Sequence, residues 1–284
     1  MVESPGLEIV AEPAEDWGAE GPSAARAERV ARDVARSLAE RGHEAAPLRF
    51  TVLRLPPEHV GLGTGTQLSL AVARLVAESA GVGPTPAPEL AAMTGRGVRS
   101  GVGLHGFDLG GLVVEGGHKG DAGIAPVLCR MAFPEDWWAL VVAPPHAEGL
   151  HGPEEREAFA ALPPMPESET DRLCRLVLLG VLPAVAERDL GDFGVALEET
   201  QFRVGSWFAP AQGGVFASPR LTEMVGWLRA RGLKGVGQSS WGPTLYGFTD
   251  EGPDWRDALL TDLRERFTLG DAGVWTVASR SGAV

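Results

Sequence analysis

The stretch PPEHVGLGTGTQLSLAVARLVAESAG, residues 56–81, decides the fold. Glycines 61, 63 and 65 alternate with Leu and Thr in a loop that follows a strand-like stretch and precedes an amphipathic pattern. The order strand, glycine loop, helix brings free backbone N–H groups to the positive end of a helix dipole. The stretch therefore predicts a phosphate-binding loop, or else a tight turn with an N-cap and no ligand.

The residues on both sides of the loop show the periodicity of a mixed helix and strand protein. Residues 48–56 alternate as a strand does, and Leu68, Val72, Leu75 and Val76 predict one apolar helix face over 67–79. Other predicted strands lie at 7–11, 137–145 and 274–280. Other predicted helices lie at 23–41, 87–94, 169–188 and 219–231, with a proline-rich linker at 162–168.

The composition restricts the class of partner. The chain has 284 residues, 44% of them hydrophobic and 22% charged, with a formal charge of −13. So acidic a chain is repelled by nucleic acid and by anionic membranes, and we expect neither as a partner. The absence of a signal-like start and of any apolar run of ~20 residues predicts a cytoplasmic protein. Cys129 and Cys174 lie in apolar sequence and are expected to be reduced thiols in the core.

The first glycine tract resembles the second motif of the GHMP superfamily of small-molecule kinases. It has no lysine after the glycines, as a P-loop would, and its glycine spacing differs from the dinucleotide fingerprint. The superfamily motif is Pro-x3-Gly-Leu-Gly-Ser-Ser-Ala, and its loop wraps the triphosphate of ATP while a hydroxyl helps to hold magnesium. The resemblance implies a cradle with Thr66 as the Mg²⁺ ligand, formed by Gly61, Gly63, Thr64, Gly65, Thr66 and Gln67.

The second glycine tract, VRSGVGLHGFDLGGLVVEGG at residues 98–117, distinguishes the subclasses. Its Gly-x-Gly-x-x-Gly is followed by a sequence that we interpret as turn and strand, which excludes a dinucleotide site. The tract resembles the kinase stretch Pro-Ser-Gly-Ile-Asp, but Gly103 stands at the position of the catalytic Asp. A glycine cannot take a proton. Asp108 could replace the missing acid only in a rebuilt loop, so the tract argues against a kinase.

The two tracts, together with GQSSWGPT at residues 237–244, resemble the β-ribofuranosylaminobenzene 5′-phosphate synthase family of this superfamily. That family joins phosphoribosyl pyrophosphate to a para-substituted benzoate, with release of pyrophosphate and carbon dioxide, in tetrahydromethanopterin biosynthesis. The resemblance implies an α+β, GHMP-kinase-like two-layer fold and a homodimer. It implies a β/α domain over 1–145, like ribosomal protein S5 domain 2, and a ferredoxin-like α+β domain over 146–284.

The resemblance also implies the site residues. Thr64, Arg99, Ser100 and Gln238 are expected to be catalytic. Arg99 and Arg54 are candidates to hold the benzoate carboxylate and the ribose phosphate, because arginine binds such groups bidentately. Trp241 is expected either to stack on the benzoate ring or to pack in the core. The remaining expected binding residues are Gly101, Gly103, Ser239, Ser240 and Thr244.

The beginning of the chain departs from the family pattern. Family members open with a strand and a Pro-Ser-Arg-Leu-His-Phe-Gly-Leu stretch, which nothing in residues 1–50 resembles. We therefore expect this chain to lack a segment that lines the family's active site. Two other functions stay open: an ATP-dependent GHMP kinase, and a catalytically impaired or truncated homologue that binds a phosphate ligand. The choice between an amino and a hydroxy benzoate also stays open.

Overall fold

The computed structural model describes residues 4–95, 101–117, 123–145, 149–150, 152–270 and 273–278. These residues form two units. The first unit is drawn from Met1–Glu58 and Gly63–Ala132, and the second from His59–Leu62 and Phe133–Ser279. The glycine tract is therefore divided: the segment with Gly61 belongs to the second unit, and Gly63 onward belongs to the first.

The first unit combines a three-stranded sheet, a helical layer and a two-stranded ribbon. Strand β3 is central in the sheet, antiparallel to β1 and parallel to β2, and β4 pairs with β5 in antiparallel fashion. In chain order the elements are β1 (Glu8–Pro13), β2 (Gly18–Glu20), α1 (Ala24–Glu40), β3 (Leu48–Arg54), α2 (Thr64–Ser79), α3 (Ala87–Thr94), α4 (Val102–Leu109), β4 (Leu112–Glu115) and β5 (Val127–Met131).

The core of the first unit fixes the direction of α2. The side chains of Phe50 on β3 and Leu68 on α2 are fully buried, and the apolar face of α1 packs into the same cluster. Each large apolar side chain that is buried in this way stabilises the fold by about 1.5–3 kcal/mol. Leu68, Val72 and Val76 are buried as the periodicity predicts, while Leu75 is half-buried. This packing holds the N-terminus of α2 in place next to the glycine tract.

The second unit is built on a four-stranded antiparallel sheet of order β7-β8-β6-β9. In chain order its elements are β6 (Trp138–Val142), α5 (Gly152–Ala161), α6 (Glu167–Leu176), a π-helical turn (Val177–Val181), α7 (Leu182–Glu187), α8 (Leu190–Gln212), α9 (Pro219–Ala230), β7 (Lys234–Gln238), β8 (Leu245–Thr249), α10 (Pro253–Phe267) and β9 (Val274–Ala278). No helix in the described ranges has the length and the apolar character needed to cross a membrane.

The structure corrects three expectations from the sequence. The division between the units falls at Ala132/Phe133 and not at 145/146, because β6 pairs with the late strands β8 and β9. Helix α4 runs on to Leu109, into the stretch after Gly106 that was expected to begin as a turn. The cysteines are not core thiols, since Cys129 is half-buried and Cys174 is exposed.

An ion network joins α6 to α8 in the second unit. Arg172 donates to both carboxylate oxygens of Glu199, at 2.8 and 2.6 Å, and Arg203 donates to Glu199 at 2.9 Å and to Glu169 at 2.7 Å. The hydrogen bonds from Arg172 and then from Arg203 lower the pKa of Glu199 from its ordinary value of 4.5 to about 2. Folding therefore favours the ionised carboxylate.

Replacing Glu199 by Gln should lower the urea midpoint of unfolding at pH 7. The folded-state pKa is depressed, so the stabilisation is complete above pH 4.5 and is lost as the pH falls towards 2. The difference between wild type and Glu199→Gln should narrow over that window. As a control, Glu223→Gln removes a single exposed pair with Arg266 and should change stability by less than about 0.5 kcal/mol. A difference for Glu199→Gln that stays constant down to pH 2 would contradict this account.

Candidate phosphate-binding site

Helix α2 begins at Thr64, one turn earlier than the sequence pattern predicts. Gly63 is its N-cap residue, in the left-handed region at φ +70° and without a side-chain cap. The N–H groups of Thr66 and Gln67 donate to the carbonyl oxygen of Gly63 at 2.9 and 3.1 Å. The N–H groups of Thr64 and Gly65 find no acceptor among the described residues, and they stand at the positive end of the helix dipole.

The two threonines of the tract differ in what their hydroxyls can do. The Thr64 side chain is 4% exposed, and its hydroxyl donates to the carbonyl oxygen of Pro57 at 2.8 Å. Thr64 was expected to be catalytic, but its proton is committed inside the fold, so the structure does not support a role for its hydroxyl. Thr66 is half-buried, and its hydroxyl makes no hydrogen bond to another residue in the described ranges. Thr66 is therefore the residue with a hydroxyl available for a ligand.

A charged pair that the sequence reasoning missed lies beside this helix start. Arg26, in the first turn of α1, forms an ion pair with Glu58, and Ser23 donates a hydrogen bond to the other oxygen of the same carboxylate. A Cβ atom added to Gly65 would lie 2.7 Å from Nη1 of Arg26 and 3.7 Å from Oε1 of Glu58. The guanidinium group therefore lies against the backbone of the first turn of α2.

The structure joins the second glycine tract to the first through Gln67. Its side-chain amide donates to the carbonyl oxygen of Gly103 at 2.6 Å, which ties α2 to the first turn of α4. The N–H of Gly101 donates to Glu115 on β4 at 2.6 Å. Three of the predicted binding residues, Gln67, Gly101 and Gly103, are thus neighbours in the first unit. Arg99 and Ser100 lie outside the described residues.

Asp108 is engaged in the fold and does not replace the missing acid of the kinases. One carboxylate oxygen accepts from Arg74 at 2.6 Å, and the other accepts from the N–H of Ala87 at 2.6 Å. Arg74 also donates to the carbonyl oxygen of Thr85 and lies over the ring of Phe107, with 4.8 Å to its centroid. One oxygen of Asp108 therefore ties α4 to α2, and the other ties α4 to the start of α3. This placement weakens the kinase interpretation further.

In the second unit Gln238 is the centre of a buried hydrogen-bond network. Its side-chain oxygen accepts from Ala217 N at 2.8 Å, and its amide donates to Ser240 O at 3.1 Å and to Gln212 at 3.2 Å. Its own N–H donates to Gln201. The residue is 5% exposed. In this structure the amide of Gln238 shapes the turn over 238–244, and the catalytic role expected for Gln238 stays a prediction.

The turn that begins at Gln238 holds the His59–Leu62 segment of the second unit. The hydroxyl of Ser239 donates to Gly61 O at 2.6 Å, and the N–H of Thr244 donates to Val60 O at 3.2 Å. Gly61 has φ +85°, and a Cβ atom there would lie 2.4 Å from the carbonyl oxygen of Ser239. The glycine is therefore required both by its left-handed backbone and by the close approach of the turn.

Trp241 packs in an aromatic cluster and presents no open ring face. The side chain is 3% exposed, with ring centroids 4.4 Å from Phe208 and 5.1 Å from Phe159. Of the two alternatives from the sequence, the described structure therefore favours core packing. The indole Nε1 and the hydroxyl of Thr244 are buried without a hydrogen-bond partner within the described part of the chain.

The remaining expected residues are more exposed. Arg54 ends β3 with a side chain that is 62% exposed, 3.7 Å from the carboxylate of Glu8. Such surface pairs contribute little to stability. Ser240 follows Ser239 in the turn and has a left-handed backbone at φ 54°. Contacts of Arg54 and Ser240 with a substrate stay predictions.

The residues at the start of α2 in the first unit fit a Mg²⁺ ion that is coordinated mainly by the phosphates of the substrate. The described residues contain no group of three or more His, Cys, Asp or Glu side chains arranged to hold a metal. Mg²⁺ commonly keeps several waters and binds through one or two protein oxygens and substrate phosphates. The hydroxyl of Thr66 at the start of α2 is such an oxygen, so the donor set agrees with this mode.

Comparison with known proteins first defines the class. Residues 181–265 match the family described as GHMP kinases C terminal. Homoserine kinase from Cytophaga hutchinsonii is similar in fold, with a TM-score of 0.67 and 16% identity over 99% of this chain and 89% of that one. Mevalonate kinase from L. major has a TM-score of 0.66 and 16% identity over 98% and 87% of the two chains. The chain has the GHMP-kinase fold, as the sequence predicted.

Three relatives that share one name then define the family. A beta-ribofuranosylphenol 5'-phosphate synthase from Methanothermobacter thermautotrophicus is 34% identical over 88% of this chain and 80% of the relative. Synthases of the same name from Archaeoglobus fulgidus and Methanocaldococcus jannaschii are 37% and 33% identical, over 72% and 74% of this chain and 65% of each relative. The chain belongs to the beta-ribofuranosylphenol 5'-phosphate synthase family, which confirms the resemblance.

The close contact between Gly61 and the turn of Ser239 predicts that an added methyl group at Gly61 destabilises the fold. Gly61→Ala should destabilise the second unit by about 1–2 kcal/mol for the left-handed backbone, and by about 1–3 kcal/mol more for the clash with Ser239 O. Gly213→Ala is the matched control, since Gly213 has φ +87° and no atom within 4 Å of the added Cβ. Urea unfolding should show the larger loss for Gly61→Ala, and equal losses would contradict the close approach.

Proposed function

We propose that the chain is a synthase that condenses phosphoribosyl pyrophosphate with a para-substituted benzoate, releasing pyrophosphate and carbon dioxide. The proposal is carried by the 34% identity over 88% of the chain to a relative named as such a synthase. In the reaction the bond from C1 of the ribose to a pyrophosphate oxygen breaks, and a bond from C1 to the carboxylate-bearing ring carbon forms. The ring then loses its carboxylate. The product belongs to tetrahydromethanopterin biosynthesis.

The acceptor that we favour is 4-hydroxybenzoate. The relatives are named for a ribofuranosylphenol, which carries a hydroxyl group on its aromatic ring. A ring hydroxyl in the product requires the same hydroxyl in the benzoate that enters, since neither the bond formed nor the bond broken touches it. 4-Aminobenzoate is the alternative acceptor, and the choice between them is made by a direct comparison of the two acids.

The start of α2 supplies what the leaving pyrophosphate needs. Negative charge develops on the pyrophosphate oxygen as the bond to C1 breaks, and fixed donors that are directed at this charge lower the barrier. The N–H groups of Thr64 and Gly65 and the hydroxyl of Thr66 are such donors. Thr66 would also hold Mg²⁺, which when bound neutralises part of the pyrophosphate charge. Gly63, where an added Cβ would meet no atom within 4 Å, leaves room for a phosphate to approach the backbone closely.

The reaction needs no strong base from the protein. The ring carbon first attacks C1 with an electron pair of the ring. The electron pair of its bond to the carboxylate then returns to the ring, and carbon dioxide leaves in place of a proton. This chemistry is compatible with Gly103 at the position where the kinases have a catalytic Asp. It is also compatible with Asp108 being held in an ion pair with Arg74. Phosphoryl transfer from ATP to a hydroxyl would, in contrast, benefit from a carboxylate near Gly103 that accepts the hydroxyl proton.

The finer expectations about the assembly remain part of the proposal. The resemblance supports a homodimer and a cytoplasmic location, and the formal charge of −13 supports small-molecule substrates without a nucleic-acid or membrane partner. Size-exclusion chromatography coupled to light scattering checks the dimer directly, against the 29.9 kDa of one chain.

A label in the carboxyl group of the acceptor tests the proposed reaction. With carboxyl-labelled 4-hydroxybenzoate, Mg²⁺ and phosphoribosyl pyrophosphate, we expect release of labelled carbon dioxide that matches pyrophosphate formation mole for mole. Omitting the ribosyl donor should abolish both. Labelled 4-aminobenzoate, run in parallel, ranks the two acceptors. Phosphate transfer from ATP to homoserine or mevalonate, without carbon dioxide release, would contradict the proposal and support a kinase.

A further inference from the structure

Three positive features of the first unit converge on one carboxylate, that of Glu58. Ser23, the N-cap residue of α1, donates its hydroxyl to one oxygen, and Arg26 contacts the other. The same oxygen lies 3.7 Å from the position of a Cβ on Gly65, in the first turn of α2. The N-cap serine of α1, the first turn of α2 and a guanidinium group thus all lie beside the same negative charge.

The position of Arg26 is unfavourable without an anion. A cation at the N-terminal end of a helix opposes the helix dipole, and Arg26 lies in the first turn of α1 and against that of α2. The side chains of Arg26 and Glu58 are 23% and 24% exposed, so solvent screens this interaction less than it screens a surface pair. A negative group is required here, and in this structure Glu58 supplies it.

The hydroxyl of Ser23 binds Glu58 and does not cap its own helix. An N-cap serine usually has an extended backbone, and its hydroxyl accepts from the N–H groups of its own helix. Ser23 is left-handed at φ 54° and makes no side-chain cap hydrogen bond. Its hydroxyl is directed to Glu58 instead. Three separate groups are therefore arranged around this carboxylate.

We propose that Glu58 is an internal counter-anion for Arg26, and that the pyrophosphate group of the ribosyl donor takes its place. When the donor binds at the start of α2, Arg26 passes from Glu58 to a pyrophosphate oxygen and stabilises the leaving group. Arg26 is thus a ligand of the pyrophosphate, and Glu58 is a positioning residue that keeps the guanidinium beside Gly65 until the donor arrives. This inference rests on the proposed function, which puts pyrophosphate at this site.

Pyrophosphate binding to variants of the full chain tests this exchange, because replacing Arg26 and replacing Glu58 should change the affinity in opposite directions. Isothermal titration with sodium pyrophosphate, with and without Mg²⁺, is compared for wild type, Arg26→Gln, Glu58→Gln and the control Arg29→Gln. Arg26→Gln should weaken binding by about 10- to 100-fold, because a charge-assisted hydrogen bond is lost. Glu58→Gln should tighten binding several-fold, because the competing anion is gone. Arg29, exposed on the same helix, should show no effect when replaced.

Gly65→Ala probes the position of Arg26 without a change of charge. The backbone of Gly65 is helical, so alanine fits it, but its Cβ would displace a guanidinium nitrogen that lies 2.7 Å away. Gly65→Ala should weaken pyrophosphate binding and raise the KM for phosphoribosyl pyrophosphate more than it lowers kcat. Gly106→Ala, in α4 with nothing within 4 Å of the added Cβ, is the matched control. Circular dichroism establishes that each variant is folded.

The outcomes separate this inference from the proposed function. If wild type binds pyrophosphate and the Glu58→Gln variant binds it equally or more weakly, Glu58 is a structural residue or a metal ligand, and the inference is overturned. Unchanged binding by Arg26→Gln and Gly65→Ala would also overturn it. If wild type binds neither pyrophosphate nor phosphoribosyl pyrophosphate, the proposed function fails together with the inference.

Discussion

The left-handed backbone of Gly61 and Gly63 is the constraint on which the site depends. These residues have φ values of +85° and +70°, which residues with a Cβ atom adopt only at a cost of about 1–2 kcal/mol. Gly61 lets the segment His59–Leu62 lie against the turn of Ser239, and Gly63 turns the chain into α2. Without the turn at Gly63, the N–H groups of Thr64 and Gly65, which find no acceptor in the described part of the chain, would not stand at a helix start.

On the proposed function, the glycine loop of this chain serves a different chemistry from that of the GHMP kinases. Backbone donors, a hydroxyl and a glycine-lined approach recognise phosphate charge and do not depend on what is attached to it. The nature of the reaction is therefore decided by residues outside the loop. In this chain Gly103 takes the position of an acid, and Asp108 is engaged with Arg74 and Ala87 N. A reaction that ends in loss of carbon dioxide does not need that acid.

Local periodicity was enough to predict the elements around the site, and tertiary packing explains what it missed. The apolar spacing of α1, α2 and α3 and the alternation of β3 predicted those elements to within a few residues. Helix α8 was not predicted, because glycines and Pro210 interrupt its pattern. Added Cβ atoms on Gly194 and Gly205 would lie 2.7 Å from the Lys234 side chain and 2.4 Å from Val215 O, so close packing requires these glycines. Long-range contacts override helix propensity here.

The site was predicted as a stretch of chain but not as a set of side chains. Sequence placed Gln67 and Gly103 in two tracts, and only the fold shows that they share a hydrogen bond. The sequence also assigned functional roles to the hydroxyls of both Thr64 and Thr66, although the fold commits the hydroxyl of Thr64 to Pro57 O. Arg26 was missed because it lies far from the glycine tract along the chain. Its role follows only from its contact with Glu58 beside Gly65.

Thermal unfolding of the protein with its two possible phosphate donors distinguishes the synthase from a kinase. The account predicts that Mg²⁺ with phosphoribosyl pyrophosphate raises Tm, and that Mg²⁺ with ATP at equal concentration does not. A donor present at 100 times its Kd adds about 2.7 kcal/mol to the free energy of unfolding, which a melting curve readily resolves. Stabilisation by ATP and none by phosphoribosyl pyrophosphate would contradict the account and return the chain to the kinases.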